Sequence, residues 1–131
     1  QVWNHSTLVI AWFSNAESIA IEADGVLGRG FKVVLVGHSF GANTILIALR
    51  KMRRKVSLLC AIDPAAQFDT TLPPNCVKAL GFRQVVSSIG RGKLLPAGDG
   101  RIIDIVLNDS HTYIDKDPRT HAHIISEIVK I

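Results

Sequence analysis

The chain has 131 residues, 47% of them hydrophobic, with two cysteines and a formal net charge of +4. That is enough chain for one domain with one sizeable core, and a mean hydropathy of +0.26 suits a sheet buried on both faces. No run of eighteen apolar residues, charged-then-apolar leader or Cys/His zinc spacing is present. No membrane span, signal peptide or metal site is therefore expected.

The positive charge gathers in Arg50, Lys51, Arg53, Arg54 and Lys55. These residues close a predicted helix, where cations suit the negative end of the dipole. No aromatic residues interleave with them and no nucleic-acid motif accompanies them, so they read as a solvated helix end and no nucleic-acid partner is expected. Cys60 sits in an apolar run and reads as a small core residue, while Cys76 lies in a proline-rich loop. Nothing indicates a bridge between them.

Taken in order, residues 7–13 are an apolar run that predicts a buried strand. Ser14 or Asn15 can cap a helix over 16–27, with Glu17 in its first turn and Ile19, Ala20, Ala23, Val26 and Leu27 as its apolar stripe. Gly28 and Gly30 end that helix, and residues 33–36 form a second buried strand. The strand runs into Gly37-His38-Ser39-Phe40-Gly41, after which Ala42, Ile45, Leu46, Ala48 and Leu49 recur at helical spacing. A third strand is predicted over 56–62, ending at Asp63-Pro64-Ala65. A loop with Pro73 and Pro74 follows, then a short helical turn over 75–80 and a strand over 82–89. Residues 90–93 and 96–100 are rich in turn formers, 101–107 are a last strand, and 108–116 a loop. Asp117-Pro118 opens a terminal helix with Ile124, Ile125, Ile128 and Val129 on its buried face. Strands alternating with helices predict an α/β fold, a mostly parallel sheet sandwiched by helices in three layers.

The Gly-x-Ser-x-Gly motif carries the chemistry. A strand before it and a helix after it put Ser39 on a sharp turn, where a Cβ at Gly37 or Gly41 would meet neighbouring backbone. The Phe40 N–H then stands at a helix start, where an unpaired donor and the dipole favour a developing oxyanion. A serine hydroxyl needs a base within reach, and the base needs an orienting acid.

This stretch resembles the nucleophile elbow of the α/β-hydrolase superfamily, and the resemblance continues through Asp63 and His111 over roughly residues 31–131. It implies a triad in the chain order serine, acid, histidine. His111, between the last strand and the last helix, takes the base position. His121 and His123 fall inside the terminal helix, His5 lies near the start, and His38 in the elbow points elsewhere. Asp63, in a stretch similar to the Asp-Pro-Ala segment of pancreatic-type lipases, is the favoured acid; Asp99, between Gly98 and Gly100, is the alternative. Asp115 and Asp117 read as capping and positioning residues. The second oxyanion donor would be the N–H of Phe13 or Ser14, if the first strand neighbours the elbow strand.

The expected function is a serine hydrolase cleaving a carboxylic ester or thioester through an acyl-enzyme on Ser39, with no cofactor. An acyltransferase with the same residues, or a non-catalytic binding protein of this fold, are the alternatives. Residues 1–131 read as one such domain, either minimal or short at its N-terminus. An exposed strand edge favours pairing into a homo-oligomer.

Overall fold

Apolar, β-branched-rich runs with no polar alternation can be stable as strands only where both faces of a sheet are covered. That is how the chain builds its centre. The structure, a computed structural model, describes the backbone of residues 6–11 and all of residues 15–131. The elements are β1 (Ser6–Ala11), α1 (Ala16–Gly28), β2 (Lys32–His38), α2 (Phe40–Lys51), β3 (Leu58–Ile62), β4 (Thr71–Leu72), β5 (Lys78–Gln84), β6 (Leu95–Pro96), β7 (Arg101–Leu107) and α3 (Pro118–Ile128).

Five strands form one parallel sheet in the order β1-β2-β3-β5-β7, and β4 and β6 form a separate two-stranded pair. The order follows the chain, so successive right-handed crossovers put α1 and α2 on the same face. Their residues Ile19, Ala23, Ile45 and Leu49 pack there against Val33 and Leu35 of β2 and Leu59 of β3. The alternate residues Val34, Leu58, Cys60, Leu80 and Phe82 face the other way, against Ile124 and Ile128 of α3. The fold is thus a small three-layer α/β arrangement. Among the described residues, no helix is long and apolar enough to cross a membrane.

Two crossovers, over 63–77 and 85–100, contain no helix. Leu72 and Leu94 from these connections fill the α1–α2 face in place of one. Gly81 makes room for this, since a Cβ there would lie 3.2 Å from the Leu94 side chain.

The structure corrects two boundaries. Residues 75–77 do not begin a helical turn; the chain bends on either side of a single bridge from Cys76 to Val56, and β5 starts at Lys78 and ends at Gln84 rather than spanning 82–89. The reason lies in Asn75, whose side-chain amide donates to the carbonyls of Leu49 (2.9 Å), Met52 (3.3 Å) and Arg54 (3.1 Å). It satisfies the orphan carbonyls at the end of α2 instead of opening a helix of its own. Val85, Val86 and Ile89 are apolar but exposed, so periodicity alone extended the strand too far. The first strand ends at Ala11, and residues 12–13 of its expected span lie outside the described residues.

The helix ends follow side-chain chemistry. Asn15 accepts from the Glu17 N–H (2.8 Å), and Asp117 accepts from the Arg119 N–H (2.7 Å) with Pro118 in the first turn. The basic stretch after α2 is held by α1: the Arg53 and Arg54 N–H groups both donate to the Asp24 carboxylate at 3.0 Å. Both cysteines are buried free thiols, and burial pushes the Cys76 thiol up to about 12.

Phe82 is fully buried between the sheet and α3. Phe82→Ala is expected to destabilise the chain by about 3–5 kcal/mol, read as a lowered urea midpoint at unchanged slope.

Candidate active site

The turn between β2 and α2 is as sharp as its residues allow. Ser39 adopts φ 59°, ψ −128°, a strained region for any residue but glycine. Its N–H donates to the Ile62 carbonyl of β3 (2.9 Å), and its carbonyl accepts from Ala42 N–H (3.0 Å). A Cβ on Gly37 would lie 2.5 Å from the Gly41 carbonyl oxygen, so only glycine fits there. The Phe40 N–H, in the first turn of α2, has no hydrogen-bond partner among the described residues.

Asp63 stands just past β3, also at positive φ (49°). Its N–H donates to the Phe82 carbonyl of β5 (2.6 Å), and it is fully buried. Four donors meet its carboxylate. Oδ2 accepts from His111 Nδ1 (2.6 Å) and Gln84 Nε2 (2.8 Å); Oδ1 accepts from the Arg91 N–H (2.8 Å) and, at 3.4 Å, the Gln84 N–H. A carboxylate only accepts, so Nδ1 of His111 must donate. In the neutral ring this leaves Nε2 a bare acceptor, and it lies 2.9 Å from Ser39 Oγ. Ser39, His111 and Asp63, 24 and 48 residues apart in pairs, thus form one continuous hydrogen-bonded chain at the carboxyl ends of the sheet strands.

Several supporting residues escape sequence reasoning. Gln84 is fully buried and spans from Asp63 to the Ile89 carbonyl (2.8 Å), while its own oxygen accepts from Ser87 N–H (2.7 Å). Ser87 Oγ accepts from the His111 N–H (3.0 Å). Gly90, at φ 81°, lies flat against the acid–histidine pair: a Cβ there would overlap Asp63 Oδ2 and lie 2.6 Å from His111 Nδ1. The available signals were a glutamine at the end of an apolar strand and a glycine in the following loop. Asn43 of α2 clamps the chain after Asp63, exchanging bonds with the Ala65 N–H (2.8 Å) and carbonyl (3.2 Å).

His38 does not point away from the site as expected. Its Nε2 lies 2.9 Å from the His111 carbonyl and so donates to it, and its Nδ1 lies 3.7 Å from Asp115 Oδ2. The loop carrying His111 is closed by Asp117, which pairs with Arg119 at 2.7 Å. That bonded guanidinium holds the Asp117 carboxyl well below the usual carboxylate range. The Asp117 carboxyl beside it, together with burial, pushes the neighbouring Asp109 upward.

The other sequence candidates lie elsewhere. Asp99 immediately precedes β7 and so stands at the amino end of the sheet, roughly 20 Å of strand from the carboxyl ends. It is exposed and is no alternative to Asp63 as the partner of His111. His121 bonds the Asp115 carbonyl (2.7 Å), and the His123 ring lies edge-on to Phe82 at 6.1 Å. Phe13 and Ser14, named as second oxyanion donors, lie outside the described residues, although β1 does pair with β2.

Ser39 opens onto a cleft of about 620 Å³ lined by Phe40, Ala65, Gln67, Ile89, Gly90 and Arg91. An adjoining apolar groove of about 310 Å³ shares Phe40 and adds Ile47 and Phe68. No group of three or more metal-ligating side chains occurs among the described residues. A scan against protein-family models and a search of the curated proteins found no match to this chain.

Gly90→Ala forces a left-handed alanine and a clash with the acid–histidine pair. A loss of roughly 2–4 kcal/mol of stability is expected, read from urea unfolding, where a surface glycine replacement would cost far less.

Proposed function

We propose that this protein is a serine hydrolase of the α/β-hydrolase type that cleaves a carboxylic ester or thioester. The observation that carries the reading is the chain from Ser39 Oγ to His111 Nε2 (2.9 Å) and from His111 Nδ1 to Asp63 Oδ2 (2.6 Å). The strained turn that holds Ser39 out at the end of β2 supports it as well.

In this reading Ser39 Oγ attacks the acyl carbonyl while His111 Nε2 takes its proton. Asp63 keeps Nδ1–H in place and stabilises the imidazolium as it forms. The oxyanion is met by the Phe40 N–H and the positive end of α2. His111 returns the proton to the leaving alcohol or thiol as the C–O or C–S bond breaks. Water then attacks the acyl-enzyme, with His111 again taking and returning one proton, to release the acid and free Ser39. The buried, multiply bonded carboxylate supports this division of labour: four donors hold Asp63 rigid, so His111 has one orientation to offer.

The test is hydrolysis of p-nitrophenyl butyrate by the purified chain beside Ser39→Ala and Asp63→Asn. The expected result is background rate for Ser39→Ala and a loss of roughly 10⁴-fold for Asp63→Asn, both variants keeping the native circular-dichroism spectrum. Equal rates for the folded parent and Ser39→Ala would overturn the proposal.

A further inference from the structure

Arg91 is the one charged residue lining the Ser39 cleft among the described residues. Its main chain is fixed. The N–H is bonded to Asp63 Oδ1 (2.8 Å), and the residue bridges to Ala65. It sits at φ 69°, where glycine or asparagine would be cheaper. An arginine there is not explained by the backbone. Its side chain also has no ion-pair partner among the described residues, whereas Arg50, beside the neighbouring groove, is paired with Asp69 at 3.5 Å. The carboxylate nearest its main chain, Asp63, is already filled by four donors, one of them the Arg91 N–H itself.

The groove that adjoins the cleft is apolar. Phe40 and Phe68 meet edge to face with ring centres 6.0 Å apart, yet remain 46% and 53% exposed. Ile47 completes that wall at 42% exposed. Phe40 lines both this groove and the Ser39 cleft, while Arg91 lines the cleft alone. A ligand bound at Ser39 therefore lies in a cleft that Arg91 lines and that adjoins an apolar groove through Phe40.

From this juxtaposition we infer that the substrate is an anionic amphiphile: an apolar acyl chain lies along Phe40, Phe68 and Ile47, and the leaving group carries a carboxylate or phosphate toward Arg91. This rests on the serine hydrolase reading. An arginine fork suits either anion, and the two are separated by the substrates chosen.

The experiment uses two matched pairs with one acyl group. The carboxylate pair is 3-butyryloxy-4-nitrobenzoate against neutral 2-nitrophenyl butyrate. The phosphate pair is butyryl-coenzyme A against the butyryl thioester of N-acetylcysteamine. For the anion that Arg91 serves, kcat/KM should exceed that of its neutral partner by roughly tenfold at low salt, the size of one charge-assisted contact. The ratio should shrink with added salt, fall toward one in Arg91→Gln and be partly restored in Arg91→Lys. Ratios near one in both pairs, or an equal loss on both members in Arg91→Gln, would overturn the inference while leaving the hydrolase reading intact. No turnover of any ester or thioester by the folded chain would overturn both.

Discussion

A carboxylate with no exposure to solvent is the constraint on which the rest of this molecule turns. Burying the Asp63 side chain would cost several kcal/mol unless its lone pairs were met. They are met by donors from three places: the end of β5, the loop over 85–91, and the histidine after β7. The chain must bring all three to the end of β3 at once. The parallel sheet does so, because every strand delivers its carboxyl end to the same edge. Gly90 then has to be a glycine, since the loop passes too close to the acid–histidine pair for any side chain.

The two crossovers without helices belong to the same arrangement. Over 63–77 and 85–100 the chain first serves the site, and only afterwards returns to the amino end of the sheet. Leu72 and Leu94 cover the sheet on the way, and the short β4–β6 pair ties the two returns together. The site is therefore built from rigid strand ends and from loops pinned by side chains such as Gln84, Ser87 and Asn43. On the opposite face, α3 docks through Ile124 and Ile128, and its cap at Asp117 fixes the loop that carries His111. Stability and site geometry share the same residues.

Much of this was legible in the residues. Apolar runs of strand length, helical spacing in α1, α2 and α3, and the Asn15 and Asp117 caps define the α/β class. Ser39 could be named from its motif between a predicted strand and helix, and Asp63 and His111 from the resemblance to α/β hydrolases together with their places after predicted strands. What was not legible depended on register. A strand placed at 82–89 buries Gln84 in mid-strand; the true end at Gln84 delivers its amide to Asp63. Gly90 and Arg91 look like any turn until Asp63 is known to lie beneath them. Asp99 looked eligible because sequence alone does not say which end of the sheet a turn occupies. His38 was expected to point elsewhere because its partner is a backbone carbonyl 73 residues away.

The most direct measurement is labelling of the folded chain with a fluorophosphonate, followed by mass spectrometry of the modified peptide. One adduct is expected, on Ser39, formed rapidly in the parent chain, strongly slowed in His111→Asn and absent after denaturation. A folded chain that stays unlabelled, or carries the adduct on another residue, would contradict it: the Ser39, His111 and Asp63 network would then be a structural feature and not an activated nucleophile.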